Sequence, residues 1–428
     1  MVPAFKMKFF TLSQFLFGLV CPIRAELQIP IAADSPPPYR DSLLSLHRSL
    51  VEIESISGNE IEVGNFLVDY LATREYTTVR QHLPTYGNTS DGAHPFNVLA
   101  RPGSSHHRSP RLLVTSHIDV VPPYLPYRVD TRIDNRTLIH GRGSVDAKAS
   151  VAAQITALET LRRGGELDDD DVALLFVVGE EVGGDGMRFF SDSQQALKPP
   201  PNWEAVVFGE PTENKLACGH KGYFQCRVTA RGKAGHSGYP WLGKSANELL
   251  LRALLSLLET DLGSTERFGN TTVNIGVLEG GVAGNVIAES AEALLTVRVA
   301  AGPQQTGQEM VKREMARVLE KVDPDALAIS CGDGYGAVSC DCEVDGECPR
   351  KDPARRRLID VARLGFDRIV VNYGTDVPYL KGNHTRYLYG PGDILVAHSD
   401  HEALRVGDLE TAVEGYKRLI KHALAGPS

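Results

Sequence analysis

The sequence has no excess of positive charge and no long apolar run beyond its amino terminus. Lys and Arg number 45 against 54 Asp and Glu, so the formal net charge is −9. A nucleic-acid surface needs clustered Lys and Arg to neutralise phosphates, and this charge balance argues against such a partner. A membrane-spanning helix needs about 20 consecutive apolar residues. No segment after residue 25 approaches that length, so we expect no membrane anchor.

The first 25 residues have the order of a secretory signal peptide. Two lysines precede an apolar run from Phe9 to Val20, and a short Ile-Arg-Ala segment ends at Ala25. A charged region, an apolar region and a cleavage region in this order are typical of export. We therefore expect residues 1–25 to be removed and the mature protein to be secreted outside the cell.

Sequons and cysteines agree with export. The Asn-x-Ser/Thr motif is a glycan acceptor, and it occurs at Asn88, Asn135, Asn270 and Asn383. Of seven cysteines, Cys21 is lost with the signal, and the even number left indicates disulfides in an exported chain. Four cysteines lie between Cys331 and Cys348 in a segment rich in Gly, Asp and Glu, without histidine. We favour a disulfide-stapled loop there over a metal knuckle.

Short apolar runs alternate with helix-length segments in the first half of the chain. Runs rich in Val, Leu and Phe are typical of buried parallel strands, and they lie at residues 112–116, 172–178 and 205–208. A helix is predicted from Lys148 to Arg163, since apolar residues recur on one face. This alternation predicts an α/β layer with a mostly parallel sheet, whose ligands gather at the carboxyl ends of the strands.

A different order of elements follows from about residue 220 to 330. The predicted order is strand-helix-strand-strand-helix-strand, at residues 224–230, 245–262, 272–278, 293–299, 308–322 and 326–330. This is the ferredoxin-like split βαβ arrangement. Strand 368–371 and helix 408–424 then return to the α/β pattern. Because the chain is too long for one ordinary core, we expect a catalytic domain at 36–219 and 331–428, with an inserted domain at 220–330.

Five polar clusters carry the residues suited to chemistry. They are SHID (116–119), GRGSVDAK (141–148), GEEVGGD (179–185), GEPT (209–212) and AHSDHE (397–402). The candidate metal ligands among them are two histidines and three carboxylates, which suit zinc, or cobalt or manganese as substitutes. Several acids at strand ends imply a compensating cation, because an isolated buried carboxylate is costly. The chain contains no HExxH motif, which excludes that type of zinc helix.

Two spacings within these clusters indicate roles. His117 and Asp119 are two residues apart on an extended chain and face the same side, so the carboxylate can accept the second ring proton of a metal-bound imidazole. Glu180 and Glu181 are adjacent and face opposite ways, which suggests one acid on a metal and one on a water. Two features of the clusters have a plainer interpretation: the His-x-Asp pair as an ordinary surface pair, and Asp146, which precedes a predicted helix, as an N-cap.

The clusters resemble those of the zinc exopeptidases that include glutamate carboxypeptidase, aminoacylase, acetylornithine deacetylase and succinyl-diaminopimelate desuccinylase. SHIDVVP, GRGSVDAK, GEEVGG, GEPT and a late AH occur in the family's order over nearly the whole mature chain. The resemblance implies two zinc ions per subunit. His117 and Glu210 would bind one ion, Glu181 and His398 the other, and Asp146 would bridge both. It also implies that Glu180 is the general base and that Asp119 is the partner of His117.

The same resemblance covers the inserted domain. Gly235-His236-Ser237 looks like the family's lid motif, in which the histidine polarises the scissile carbonyl, often in the partner subunit's site. Asn285 and Arg298 lie where the family binds the substrate's carbonyl and carboxylate. The segments at 374–376 and 390–392 resemble loops that line the site. A homodimer through this lid domain is implied, whereas a plain core histidine is the alternative for His236.

These features predict a secreted metallo-exopeptidase that hydrolyses the amide bond next to a free carboxylate. Its substrate is a peptide if the protein is a carboxypeptidase, and an N-acyl amino acid if it is a deacylase such as aminoacylase. The export signal favours digestion of peptides. A third interpretation is an inactive secreted zinc-binding glycoprotein, against which the intact Glu180 and ligand set argue.

Overall fold

The computed structural model describes residues 35–87, 94–104, 108–129, 132–342, 359 and 361–425. The predicted signal peptide, the sequon at Asn88 and Cys348 lie outside these residues. From Pro38 onward the chain forms one compact unit. In the part of the chain that is described, no helix combines the length and the apolar character needed to cross a bilayer.

The secondary structure follows the predicted succession of elements. The helices are α1 (Arg40–Glu52), α2 (Ile61–Ala72), α3 (Lys148–Arg163), α4 (Asp185–Ala196), α5 (Ala246–Glu259), α6 (Gly307–Val322) and α7 (Val406–Leu424). The strands are β1 (Tyr76–His82), β2 (Phe96–Pro102), β3 (Leu112–His117), β4 (Arg128–Val129), β5 (Leu138–His140), β6 (Val172–Val177), β7 (Ala205–Gly209), β8 (Leu216–His220), β9 (Gly222–Arg231), β10 (Gly235–His236), β11 (Ser264–Thr265), β12 (Gly269–Asn270), β13 (Thr272–Gly280), β14 (Val286–Ile287), β15 (Ser290–Val299), β16 (Leu327–Tyr335), β17 (Val338–Ser339), β18 (Arg368–Val371), β19 (Thr385–Tyr389) and β20 (Ala403–Arg405).

The central sheet has the strand order β1-β2-β6-β3-β7-β19. Strands β6, β3, β7 and β19 are parallel neighbours, whereas β2 is antiparallel to both of its neighbours. The predicted α/β fold with a mostly parallel sheet is confirmed. Strand β18, also predicted, pairs with β8 outside this sheet.

Continuous apolar runs form the central strands because both faces of the sheet are covered. In β3, Leu112 and Val114 join a cluster with α1, α2, α3 and α7. Leu113, which points the opposite way, packs in a second cluster with Met187 and Phe190 of α4. Strand β6 alternates between the same two clusters. The strands are thereby held rigidly, and their carboxyl ends form one edge.

A second sheet has the order β13-β15-β9-β16, with all neighbours antiparallel. Its strands alternate: Phe224, Cys226 and Val228 of β9 pack in a separate cluster that includes residues of α5 and α6. The opposite face bears Tyr223 of β9 and Arg298 of β15. The elements come in the split βαβ order, while the division of the chain at 220 and 330 stays a prediction.

Two disulfides connect the cysteine-rich segment to other parts of the chain. Cys331 pairs with Cys226 across neighbouring strands β16 and β9, and Cys342 pairs with Cys218 of β8. The preference for disulfides over a metal knuckle is therefore confirmed for Cys331 and Cys342, and both bonds lead out of the segment instead of closing it on itself. Both bonds join segments more than 100 residues apart in sequence, 105 and 124 residues respectively. Cys340 is buried and has no disulfide partner among the described residues.

A small sheet of β20, β5 and β4 brings two loops together. Strand β20 pairs with β5 through Ala403 and His140. The loop that follows β5 leads to Asp146, and the loop that precedes β20 contains His398. Residues more than 250 positions apart in the chain thus lie beside each other, at the carboxyl edge of the central sheet.

Candidate active site

The predicted metal ligands come from strand ends and from the loops that the small sheet joins. His117 is the last residue of β3, Glu210 directly follows β7, and Glu181 lies in the turn after β6. Because parallel strands end at the same edge of a sheet, these side chains converge. Asp146, just before α3, and His398, just before β20, complete the set.

Five side chains form one cluster. The two oxygens of Asp146 face different histidines: Oδ1 is 3.0 Å from Nε2 of His117, and Oδ2 is 3.4 Å from Nε2 of His398. Glu181 Oε1 is 3.1 Å from Nε2 of His398, and Glu210 Oε2 is 3.9 Å from Nε2 of His117. Ligand atoms of His117, Asp146 and Glu181 all lie within 4.8 Å of one another. Such an array of imidazole and carboxylate donors suits zinc.

Asp119 lies behind this cluster and supports more than His117. Nδ1 of His117 is 3.0 Å from the backbone oxygen of Asp119 and 3.5 Å from its carboxylate. The carboxylate also accepts hydrogen bonds from the backbone N–H groups of Glu180 and Glu181, at 3.1 and 3.2 Å, and from the Ser57 hydroxyl at 2.8 Å. Asp119 therefore orients the histidine mainly through its backbone oxygen, and it orients the turn of the two glutamates through its carboxylate.

Sequence reasoning missed the buried ion pair of Arg142 and Glu402. Glu402 Oε1 accepts hydrogen bonds from the backbone N–H groups of Val145 and Asp146, at 3.0 and 3.2 Å. Arg142 pairs with the other Glu402 oxygen and donates to the carbonyl of His398 at 3.4 Å. Both residues lie inside quoted motifs, but 260 positions separate them, so no local pattern indicated the contact. The pair ties together the loops of Asp146 and His398.

Burial disfavours the charged form of three acids in and beside the cluster. Burial, reinforced by neighbouring carboxylates, raises the pKa of Glu180 and raises the pKa of Glu181 to about 7. Burial likewise raises the pKa of Glu210. For Asp146, burial opposes ionisation, but hydrogen bonds from His117 and His398 lower its pKa. Since buried carboxylates are stable only when paired or bound to a cation, the donor set fits metal ions.

The backbone at His398 is strained. Its φ angle is 62°, in the left-handed region that residues other than glycine rarely adopt. Such conformations cluster at functional sites, where the surrounding structure holds them. Here Arg142 holds the carbonyl of His398. The neighbouring His401 is exposed and pairs with Asp400, not with a residue of the cluster.

A cavity of about 410 Å³ opens beside the cluster. Its walls include Glu180, Arg298 and four tyrosines, and it reaches Asp146, Glu181, Glu210 and His398. Gly374 and Thr375 of the predicted loop also line it. Arg298 stacks over the ring of Tyr223, with Cζ 4.8 Å from the centroid, and forms no ion pair with any described residue. A free cation therefore faces the same space as the acidic cluster.

Two predicted residues, His236 and Asn285, lie away from this cavity. They are neighbours on the second sheet's side of the molecule, where His236 is opposite Val286 in the β10–β14 pair and Ser237 N–H donates to the Asn285 carbonyl. Both side chains are exposed. The alternative of a core histidine is therefore wrong, and within one chain His236 and Asn285 do not line the cavity.

The sequons at Asn135, Asn270 and Asn383 lie at the surface. An enzyme can attach a glycan only to an accessible asparagine, so their exposure is compatible with modification. The fourth sequon, at Asn88, lies outside the described residues.

Comparison with known proteins gives a consistent family match. The family described as "Peptidase family M20/M25/M40" matches residues 113–422. A peptidase M20 domain-containing protein of Sordaria macrospora is 52% identical over 91% of this chain and 87% of its own length. A probable carboxypeptidase of Aspergillus oryzae is 45% identical over 89% of this chain and 87% of its own length.

A solved structure gives the same fold. An M20 family metallo-carboxypeptidase from Sulfolobus solfataricus superposes with a TM-score of 0.65 at 16% identity, covering 90% of this chain and 99% of that one. At this identity the likeness concerns the fold alone. It agrees with the mostly parallel central sheet of this chain.

Proposed function

The chain belongs to peptidase family M20/M25/M40, and on this premise we propose that it is a secreted, zinc-dependent carboxypeptidase that removes the C-terminal residue of small peptides. Membership makes it a metallo-hydrolase. The observation that carries the proposal is the free Arg298 guanidinium in the same cavity as the acidic cluster. Arginine binds carboxylates with two parallel hydrogen bonds, so Arg298 would hold the substrate's C-terminal carboxylate.

Two zinc ions fit the donor set. His117 and Glu210 would hold one ion, and Glu181 and His398 the other. Asp146 would bridge both, in keeping with its two oxygens facing different histidines. When bound, the ions supply Lewis-acid chemistry, which lowers the pKa of a water molecule to about 7 and polarises a carbonyl.

The protein's own groups perform the proton transfers. The Glu180 carboxylate lines the cavity without serving as a proposed ligand. It accepts the proton of the attacking water and delivers it to the leaving nitrogen. Asp119 holds the backbone of Glu180 in place by a hydrogen bond of 3.1 Å. Arg298 aligns the substrate by its carboxylate, which limits attack to the last amide bond.

Two other functions share this site. An N-acyl-amino-acid deacylase would use the same carboxylate contact, so geometry alone favours neither substrate. The export signal and the relative named probable carboxypeptidase support the peptidase. An inactive zinc-binding glycoprotein is disfavoured because Glu180 and all five proposed ligands are present and converge.

The test is hydrolysis of free-ended dipeptides against matching N-acetyl amino acids by the zinc-loaded secreted protein. Each assay is repeated after chelation and after zinc is restored. Cleavage of the dipeptides that is lost on chelation supports the proposal. Cleavage of the acyl substrates alone would identify a deacylase, and zinc binding without any cleavage would favour the glycoprotein.

We further propose a homodimer through the second sheet and α5. Three leucines one helical turn apart on α5, Leu251, Leu255 and Leu258, are each 55–56% exposed. Strand β13 is an edge of its sheet and bears exposed Val277 and Leu278. Helix α5 lies against strand β13, and exposed apolar side chains beside an open strand edge indicate a protein partner. A second copy is the simplest partner, since two-fold dimers use the same surface twice.

A dimer would also explain the position of His236. Its side chain is exposed and outside its own chain's cavity, yet the resemblance assigns it to the scissile carbonyl. In the dimer, His236 of the partner subunit would donate a hydrogen bond to the oxyanion that forms there.

Mixing two inactive variants tests this arrangement. Glu180→Gln and His236→Ala homodimers are each inactive on this proposal. After exchange of subunits, half the dimers are hybrids with one intact site, so roughly a quarter of the wild-type activity returns. No recovery, with exchange verified by a mass tag, would place His236 outside the partner's site.

Secretion is supported by the amino-terminal sequence, by the two disulfides and by the exposed sequons. Expression in a eukaryotic host, amino-terminal sequencing of the medium and treatment with an endoglycosidase test it. We expect a chain that starts near Glu26 and loses mass on deglycosylation. An intracellular chain that retains Met1 would refute secretion.

A further inference from the structure

The cavity beside the proposed metal site has an aromatic wall. Its tyrosines come from three parts of the chain: Tyr223 from β9, Tyr335 from β16, and Tyr373 and Tyr379 from the segment between β18 and β19. Val182 and Ile394 add aliphatic surface to the same cavity. Tyrosine rings offer a large apolar contact area, so the wall suits a ligand with an apolar group of similar size.

The rings of this wall are held in place before any ligand binds. Tyr335 packs edge-on against Tyr379, with centroids 5.5 Å apart and planes at 87°, and edge-on against His220 at 5.9 Å. The guanidinium of Arg188 lies 3.8 Å from the centroid of Tyr379. The hydroxyl of Tyr373 donates to the carbonyl of Pro211 at 2.7 Å. Rings fixed in this way lose little conformational entropy when a ligand binds.

The wall lies next to the proposed carboxylate partner. In the second sheet, Arg298 of β15 is directly opposite Tyr223 of β9, and Tyr223 is directly opposite Tyr335 of β16. Both Arg298 and Tyr335 also approach Gly374. A Cβ atom added to this glycine would lie 3.5 Å from Nη1 of Arg298 and would clash with the Tyr335 hydroxyl. The residue whose carboxylate binds Arg298 therefore has its own side chain at the wall.

The groups around the wall disfavour charged or small side chains of a substrate. Arg298 stacks on Tyr223 beside the proposed carboxylate site, so a lysine or arginine side chain bound next to Tyr223 would lie near like charge. Arg188 stacks on Tyr379. Arg188 donates to the carbonyl of Gly183 at 3.1 Å and lines a neighbouring cavity rather than this one. It is thus poorly placed to bind an acidic side chain. An alanine side chain would leave the rings without contact.

We infer that the tyrosine wall binds the aromatic side chain of the substrate's C-terminal residue, so that the preferred substrates end in Phe, Tyr or Trp. This inference rests on the proposed function, because it takes Arg298 as the partner of the C-terminal carboxylate. It adds the class of residue that the enzyme releases.

The first test compares kcat/KM for Ala-Phe, Ala-Leu, Ala-Ala, Ala-Lys and Ala-Asp with the zinc-loaded wild-type protein. Burial of an aromatic ring that alanine lacks predicts a preference for Ala-Phe over Ala-Ala of about 10- to 100-fold. Ala-Lys and Ala-Asp should be poorer still than Ala-Leu. Equal rates for Ala-Phe and Ala-Ala, or preference for a charged terminus, would overturn the inference.

Variants of the tyrosine wall test whether the preference for an aromatic C-terminal residue arises from these rings. Tyr335→Leu and Tyr379→Leu should each lower the Phe/Ala ratio of kcat/KM by about 5- to 10-fold, while Tyr335→Phe keeps the ring and should keep the ratio. Tyr70→Leu is the matched control: Tyr70 also stacks on an arginine, Arg74, at 3.5 Å, but lies on α2. An unchanged ratio in both wall variants, with folding checked by circular dichroism, contradicts the inference.

Assays with N-acetyl amino acids and with free amino acids distinguish failure of this inference from failure of the proposed function. If only acyl substrates are cleaved, the carboxypeptidase proposal fails, but a preference for N-acetyl-Phe over N-acetyl-Ala would still support the wall. If nothing is cleaved, calorimetric binding of L-Phe, L-Ala and L-Lys to the zinc-loaded protein decides. Tighter binding of L-Phe supports the inference, and equal or weaker binding refutes it.

Discussion

Replacement of Glu402 by Gln should weaken zinc binding while the protein still folds. Gln keeps an oxygen for the N–H groups of Val145 and Asp146 but places an NH₂ group against Arg142, in place of the carboxylate oxygen now paired with it. Arg142 is 2% exposed, so its charge becomes buried without a counterion. Breaking a buried pair in this way costs about 3–5 kcal/mol of the free energy of unfolding.

The expected effect on zinc affinity follows from the two backbone groups that Glu402 and Arg142 hold in place. Glu402 fixes the backbone of Asp146, and Arg142 fixes the carbonyl of His398, so both proposed ions depend on the contact. Loss of such outer contacts typically weakens metal binding by about 10- to 100-fold. Competition with a chromophoric chelator measures the zinc affinity, and urea denaturation of the metal-free protein measures the free energy of unfolding.

Glu204→Gln is the control for this prediction. Glu204 forms two hydrogen bonds of 2.8 Å with Arg111, but both side chains are partly exposed and distant from the cluster. An exposed ion pair contributes about 0–1 kcal/mol, so this variant should match the wild type in stability and zinc affinity. If Glu402→Gln is destabilised yet binds zinc within about twofold of the control, the pair stabilises the fold only and the reasoning is wrong.

Other perturbations test the proposed site, one disulfide and one buried histidine. Glu180→Gln should retain zinc, measured by elemental analysis, but its kcat should fall by about 10²- to 10⁴-fold. Asp146→Ala should lose metal. Normal turnover by Glu180→Gln would remove Glu180 from the mechanism. Joint replacement of Cys226 and Cys331 by Ala removes a disulfide that links residues 105 positions apart. On the chain-entropy model this loss should lower the free energy of unfolding by about 4–5 kcal/mol. A denaturation curve like that of the wild type would contradict this. Burial lowers the pKa of His220 to about 4, below the value of about 6.5 in the unfolded chain. The unfolded state therefore binds more protons between these values, and stability should fall by up to about 3 kcal/mol as the pH drops from 6.5 to 4. His220→Gln should show a smaller fall over the same range, and an identical fall would exclude this contribution.

Local periodicity predicted the core elements well. Strands β3 and β6 are covered on both faces, so their sequences are apolar throughout and stand out from their surroundings. Helix α3 matches its predicted bounds at Lys148 and Arg163. Motifs at strand ends predicted the convergence of His117 and Glu210, because topology alone brings parallel strand ends to one edge.

Contacts between distant segments were beyond sequence reasoning. The disulfide of Cys331 depends on the register of β16 with β9, which no spacing of cysteines reveals. Glu402 was quoted within a motif, but its partner Arg142 lies 260 positions away. The tyrosine wall gathers rings from three separate segments, none of which is aromatic enough to indicate a binding surface. Pairings of this kind arise only once the chain is folded.

Zinc titration of the chelated protein measures whether hydrolysis depends on metal and on a free C-terminal carboxylate. Cleavage of a free-ended dipeptide that ends in Phe is followed as zinc is added back, beside the same peptide with an amidated C-terminus. We expect activity to return as two zinc ions bind per chain. The amide should be a poor substrate, because Arg298 has no carboxylate to hold. Full cleavage without metal, or equal cleavage of the amide, would contradict these expectations.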